Sequence, residues 1–228
     1  MKRLIARELM DDDEMIGTYA QWRESLDDLA RVNTYLGGWS ALRSELDHLP
    51  SLPTSVVDVA TGGADLARRL LDHLGQCGVQ AACVAVDRSA RILHIAQELS
   101  PKRDNLTFVK ADARQLPFAN QSFDLATLNL ALHHFEPSEA TMVLKELARV
   151  ATTVIVNDLR RSWIAWAFAR FVFPLLTRNR FTRNDGPISV LRAYTPVELR
   201  DLARLAGWSS ISVRTRPGYR MTLLGGTL

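Results

Sequence analysis

Between residues 55 and 156 the chain alternates short apolar runs with amphipathic segments, and this alternation constrains the fold more than any other feature. Residues 55–59, 80–86, 106–110, 124–130 and 153–156 read as strands, being short, rich in Val, Ile, Leu or Thr, and bounded by turn-forming residues. Residues 64–74, 90–99 and 138–150 carry helical spacing, and Gly75 stops the first of them. Strands separated by helices pair in parallel through right-handed crossovers. The rhythm then changes. Residues 160–183 are aromatic-rich and basic, Thr195-Pro196 opens a helix that runs to Ala206, and residues 211–216 and 219–224 flank Pro217-Gly218 as a β-hairpin would. The expected fold class is therefore α/β: a doubly wound, mostly parallel seven-stranded sheet with helices on both faces and a C-terminal antiparallel hairpin.

Residues 1–47 carry helical patterning, with Leu26, Leu29, Val32 and Leu36 as apolar positions, and Leu49-Pro50-Ser51-Leu52-Pro53 is the clearest boundary. The expected organisation is a helical cap over residues 1–49 and one α/β domain over 50–228, with a helical insertion at about 160–193. A chain of 228 residues has no room for two full catalytic domains. Its 47% hydrophobic and 23% charged composition excludes disordered, collagen-like and disulfide-scaffold classes. Twenty-eight basic against 25 acidic residues leave a net charge of +3, too weak to argue for a nucleic-acid partner. Cys77 and Cys83 flank a short loop without metal-ligand spacing, so they read as reduced structural cysteines of a cytoplasmic protein, and no metal site is expected. Residues 1–7 run into Asp11-Asp12-Asp13-Glu14 without the apolar core of a signal peptide. The longest apolar run, residues 163–177, falls short of the ~20 residues of a spanning helix and contains Arg170 and Pro174, so stable membrane insertion is not expected.

In an open α/β sheet, ligands bind beyond the carboxyl ends of the strands. The first such end is Val56-Val57-Asp58-Val59-Ala60-Thr61-Gly62-Gly63-Ala64-Asp65, a strand entering a small-residue loop and then a helix. Small side chains let backbone approach a ligand, and a helix N-terminus favours an anionic group. Against the dinucleotide pattern G-x-G-x-x-G, positions 60, 62 and 65 are Ala, Gly and Asp, a poor match. Against acid-x-G-x-G-x-G, positions 58, 60, 62 and 64 are Asp, Ala, Gly and Ala, all acidic or small. Asp87 and Asp112 close the second and third runs; each could also be a helix cap or a loop acid, and Ser89 is itself a good cap.

Taken in order, these strand ends resemble the class I S-adenosylmethionine-dependent methyltransferases, a Rossmann-like family, over residues 52–159 and the terminal hairpin. The resemblance implies S-adenosylmethionine as cofactor, with S-adenosylhomocysteine as product. It implies that Asp58, Ala60, Thr61, Gly62 and Gly63 form the first cofactor motif, that Asp87 meets the ribose hydroxyls and Asp112 the adenine amino group, and that Arg88, Ala113 and Asn129 also bind the cofactor. A carboxylate suits a cis-diol because it accepts two hydrogen bonds. Ala60 and Ala64 depart from the family's glycines.

More narrowly, Leu132-His133-His134-Phe135-Glu136-Pro137, Asn157-Asp158-Leu159-Arg160-Arg161 and residues 179–187 resemble small-molecule methyltransferases of ubiquinone/menaquinone biosynthesis and bacterial enzymes that act on polyketides and phenols. This implies a small apolar or aromatic acceptor, methylated on a phenol or polyketide oxygen, with C-methylation in quinone biosynthesis as the alternative. A cofactor-binding remnant without turnover and a dinucleotide oxidoreductase are the readings of another class, the latter disfavoured by Asp65 and the hairpin. His133 and Asp158, at the ends of two strands expected to be neighbours, are the candidate base and its orienter. Tyr19, Trp22, His134, Arg161, Trp163, Trp166 and Phe171 are candidate acceptor contacts, the aromatic insertion being read as a buried lid.

Overall fold

The structure is a computed structural model that describes residues 1–6, 8–11 and 17–226. Its sheet has seven strands: β1 (Ser55–Val59), β2 (Ala82–Asp87), β3 (Leu106–Lys110), β4 (Phe123–Asn129), β5 (Ala151–Leu159), β6 (Ser210–Arg216) and β7 (Arg220–Gly226). They lie in the order β3-β2-β1-β4-β5-β7-β6, with β7 antiparallel to both its neighbours and the other pairs parallel. The order reverses between β1 and β4, which opens the crevice where an open α/β sheet binds its ligand. The hairpin turns through Gly218 and Tyr219, both at positive φ (+72° and +57°), and a Cβ on Gly218 would run into the Leu36 carbonyl. Only glycine lets that turn approach so closely.

Successive strand residues point to opposite faces, and each face has its own apolar core. Val57, Val59 and Leu128 pack with Val143, Leu144 and Leu147 of α5 (Pro137–Val150) and Leu199 and Leu202 of α8 (Pro196–Leu205). Val56, Leu125 and Ile155 pack against Leu42 and Leu46 of α2 (Gly38–Leu46) and Leu66, Leu70 and Leu74 of α3 (Asp65–Gln76). Helix α4 (Ala90–Leu99) starts at Ser89, whose Oγ accepts the Ile92 N–H, and α8 starts in a capping box of Thr195 and Glu198.

The N-terminal segment departs from the expected continuous helical pattern. Residues 1–6 have no regular structure, Leu9–Asp11 make a single 3-10 turn, and α1 (Tyr19–Tyr35) begins only after Gly17 and Thr18. Gly17 at φ +89° breaks the chain direction, and Thr18 with Gln21 completes a capping box that fixes the start there. The insertion after β5 forms α6 (Trp163–Leu176) and α7 (Arg180–Arg192). Helix α7 packs on α1, with the Trp22 and Phe181 rings 5.0 Å apart and Thr177 and Thr182 both donating to Asp28. Among the described residues no helix is long and apolar enough to cross a membrane.

Candidate active site

A cavity of about 750 Å³ opens beyond the carboxyl ends of β1, β2 and β4, between the sheet and the α1–α7 pair. This lies within the ~300–1,000 Å³ of small-molecule sites. Asp58, Ala60, Thr61, Gly62, Gly63, Asp87, Arg88, Asp112, Ala113 and Asn129 all line it, as do His133 and His134. Asp58 is buried and organises the first loop: its carboxylate accepts hydrogen bonds from Thr61 Oγ1 (2.6 Å), Thr127 Oγ1 (2.6 Å) and Asn129 Nδ2 (3.1 Å). Burial pushes its pKa up to about 6 in spite of those donors. The loop then winds through three left-handed residues, Ala60 (φ +53°), Gly62 (φ +54°) and Ala64 (φ +55°). The two alanines thus occupy backbone conformations that favour glycine.

Asp87 sits one strand over. Its Oδ2 accepts the Gly62 N–H (3.2 Å) and its Oδ1 the Ser89 N–H (3.0 Å), which ties the first loop to the end of β2. Burial raises its pKa. Each carboxylate oxygen keeps a lone pair for a ribose hydroxyl. Asp112 is held otherwise: Arg114 donates to both its oxygens, with Nη2 2.6 Å from Oδ2, and also pairs with Glu139. That guanidinium keeps the Asp112 carboxyl below its ordinary range. The donor set fits S-adenosylmethionine. Asp87 and Asp112 line the cavity with acceptors of the kind that ribose hydroxyls and an adenine amine would use, and Arg220, fully buried and facing the cavity, has an Nη1 with no hydrogen-bond partner in reach. Its other nitrogens are engaged by the Leu36 carbonyl and Asn33 Oδ1, and Asn33 in turn donates to Asp65.

The other end of the cavity is built around His133. Parallel pairing of β4 with β5 brings the segment after β4 beside Asp158, whose Oδ2 accepts the His133 N–H (2.9 Å) and whose Oδ1 lies 2.6 Å from His133 Nδ1. Because a carboxylate only accepts, Nδ1 carries a proton, and in the neutral imidazole Nε2 is then the nitrogen that presents a lone pair. Burial works against the Asp158 charge, but His133 and two backbone N–H groups hold its carboxyl below the usual range. Nε2 faces Glu8 Oε1 at 3.8 Å. That oxygen is buried with no hydrogen-bond donor, while Glu8 Oε2 accepts from Ser189.

His134 pairs with Asp11 (2.7 Å); burial opposes its charge, yet Glu8 and Asp11 raise its pKa to about 9. Arg192 joins the group through Asp11 and lies 3.7 Å from Glu8 Oε1. Glu8, His133 and His134 hold potential metal-ligating atoms within 4.8 Å of one another. His134 and Arg192 both engage Asp11, so that acid already has basic partners.

The structure does not bring the remaining expected acceptor contacts to the cavity. Tyr19 is exposed on the outer side of α1, near His94, and Trp22 is fully buried core against Phe181. Arg161 donates to the Ala193 carbonyl and pairs with Glu198, joining the end of β5 to α8. Trp163 and Phe171 are 63% and 66% exposed, and Trp166 packs beside Ala165 and Ala169. Helix α6 instead lines the cavity with Ala165, Phe168 and Ala169, whose small residues let it sit close to α7. Glu8, Asp11, Arg114, Arg192 and Arg220 were not singled out from sequence. Four of these approach the site only through tertiary contacts, whereas the Asp112-to-Arg114 spacing is a local ion-pair signal.

Residues 56–153 match a family described as a methyltransferase domain. The demethylmenaquinone methyltransferase of Porphyromonas gingivalis is 29% identical over 73% of this chain and 72% of its own length. The ubiquinone/menaquinone biosynthesis C-methyltransferase UbiE of Rhizobium leguminosarum bv. trifolii is 28% identical over 71% of this chain, which spans 60% of that relative. The fold superposes on human N-acetylserotonin methyltransferase in complex with S-adenosylmethionine, with a TM-score of 0.66 and 15% identity, covering 92% of this chain and 57% of that one. The methyltransferase domain, these relatives and the shared fold support an S-adenosylmethionine-dependent methyltransferase. The chain is similar in sequence to the quinone-biosynthesis enzymes, and the domain and fold support S-adenosylmethionine as its cofactor.

Proposed function

We propose that this chain methylates a small, apolar aromatic ring that carries a hydroxyl group, with His133 taking the hydroxyl proton. The observation that carries this reading is the His133–Asp158 pair, which fixes a proton on Nδ1 and turns Nε2, the accepting nitrogen of the neutral ring, to a cavity-lining carboxylate oxygen 3.8 Å away that has no donor. A hydroxyl placed between Nε2 and Glu8 Oε1 can donate to either, and Asp158 stabilises the imidazolium that forms when the proton moves. When bound, S-adenosylmethionine supplies an electrophilic methyl group. The chain's own part is to hold the ring in line with that methyl, remove the proton and keep water out. Phe168, Ala165 and Ala169 provide an apolar wall for the ring.

A phenolate is nucleophilic at oxygen and at the ring carbons ortho and para to it. Carbon as the acceptor atom, in a quinol-type ring, is supported by the names of the relatives. Oxygen is the second reading, supported by a base that faces the hydroxyl itself. The test is incubation with methyl-labelled S-adenosylmethionine and a panel of hydroquinones and phenols, with the label's position read by mass spectrometry and NMR. Transfer to the ring or its oxygen is expected, and His133→Asn should lower turnover by ~10²–10⁴-fold with cofactor affinity unchanged. Full turnover in that variant would refute the role of His133.

A further inference from the structure

Helix α6 carries an apolar stripe of which the cavity uses only Phe168. Ile164, Phe168, Phe171 and Leu175 recur at i, i+4, i+7 and i+11, the spacing of one helical face, and are 65%, 37%, 66% and 83% exposed. Trp163 stands beside them, and of the stripe only Phe168 also reaches the cavity. The expectation of a buried lid thus holds only for the alanine side of α6. Large apolar residues gathered on one exposed face mark a contact surface.

The charges carried by this segment itself share one sign, the acids Glu24 and Asp28 of α1 being engaged by Asn179, Thr177 and Thr182. Residues 160–184 include six arginines and no Asp or Glu. Arg170, Arg178, Arg180 and Arg183 are all exposed and, with Pro174 and Asn184, line a shallow depression of about 320 Å³ at the C-terminal end of the stripe. Fourteen residues make a helix of about 21 Å, too short to span a bilayer and suited to lying in its interface. A second copy docked through the same face would press two arginine clusters together, whereas anionic headgroups would neutralise them.

We propose that α6 and its flanking arginines are a docking face for an anionic lipid bilayer, on which the enzyme sits peripherally. The stripe enters the acyl boundary while the arginines engage lipid phosphates. If the acceptor is the apolar ring proposed above, this docking turns the cavity wall formed by Phe168 toward the membrane that dissolves it.

The test uses the full chain without cofactor or acceptor, so it stands or falls independently of the proposed reaction. Sedimentation with vesicles of phosphatidylcholine alone and of phosphatidylcholine mixed with phosphatidylglycerol should show binding to the anionic vesicles only, weakening as salt rises. Arg178→Glu and Arg183→Glu should each weaken binding by about fivefold or more. The double variant Ile164→Ser, Leu175→Ser should weaken it by about tenfold or more and leave turnover of a water-soluble acceptor unchanged. No binding to phosphatidylglycerol vesicles, or equal binding by all these variants, would overturn the proposal. A dimer in solution that Ile164→Ser, Leu175→Ser splits would also overturn it, assigning the face to a second copy.

Discussion

Two alanines at nearly the same backbone angle but with different surroundings allow loop strain to be measured against packing. Ala60 and Ala64 sit at φ +53° and +55°, where an L-residue costs ~1–2 kcal/mol, and glycine gives back ~0.5–1 kcal/mol of that through its freer unfolded chain. Ala60 is only partly buried and borders the cavity, so Ala60→Gly should stabilise by about 0.5–1 kcal/mol. Ala64 is fully buried among Leu66, Leu70 and Leu42, and loss of its methyl forfeits about 0.8 kcal/mol, so Ala64→Gly should come out near zero. At ~2–4 °C per kcal/mol for a chain of this size, scanning calorimetry should show Ala60→Gly melting about 1–4 °C higher and Ala64→Gly almost unmoved. S-adenosylmethionine affinity should hold or improve in Ala60→Gly. A lower melting temperature for Ala60→Gly, or a larger gain at Ala64 than at Ala60, would refute the strain argument.

Three further outcomes are expected. His134 titrates at about 9 in the folded chain against about 6.5 unfolded, so its stabilising contribution is complete below pH 6.5 and lost as pH rises through 9. Denaturant titrations should therefore lose at most ~1.4 kcal/mol per pH unit over that window, and His134→Gln should flatten the slope. Glu45, fully buried in α2, accepts from Arg214, Arg216 and Thr222 of the hairpin, so Glu45→Ala should cost ~2–4 kcal/mol in urea unfolding, the two arginines being able to turn to solvent. Phe168→Ala should raise the acceptor KM with little change in cofactor affinity, because the acceptor side alone loses contacts.

The sheet was legible because its signals are local. Residues 55–59, 90–99 and 106–110 fold with the bounds their patterns imply, since β-branched runs and the Ser89 cap act within a few positions. The cofactor half of the site shares that legibility: Asp58, Asp87 and Asp112 stand at strand ends, where topology alone places them together. The rest of the site does not. Glu8 meets His133 across more than a hundred residues, and Arg220 arrives from a strand that reads as ordinary hairpin. In the insertion, composition showed an apolar helix but not which side faces water; the small pair Ala165 and Ala169, four residues apart, was the available sign of its packed face.

The most direct test of the central claim is calorimetric titration of the wild-type chain and Asp87→Ala with S-adenosylmethionine, S-adenosylhomocysteine and NADPH. The account predicts that the wild type binds the first two and not the third, and that Asp87→Ala loses ~1–3 kcal/mol, about 5- to 150-fold in affinity, through the ribose hydroxyls. Tight binding of NADPH, or unchanged S-adenosylmethionine affinity in Asp87→Ala, would contradict it.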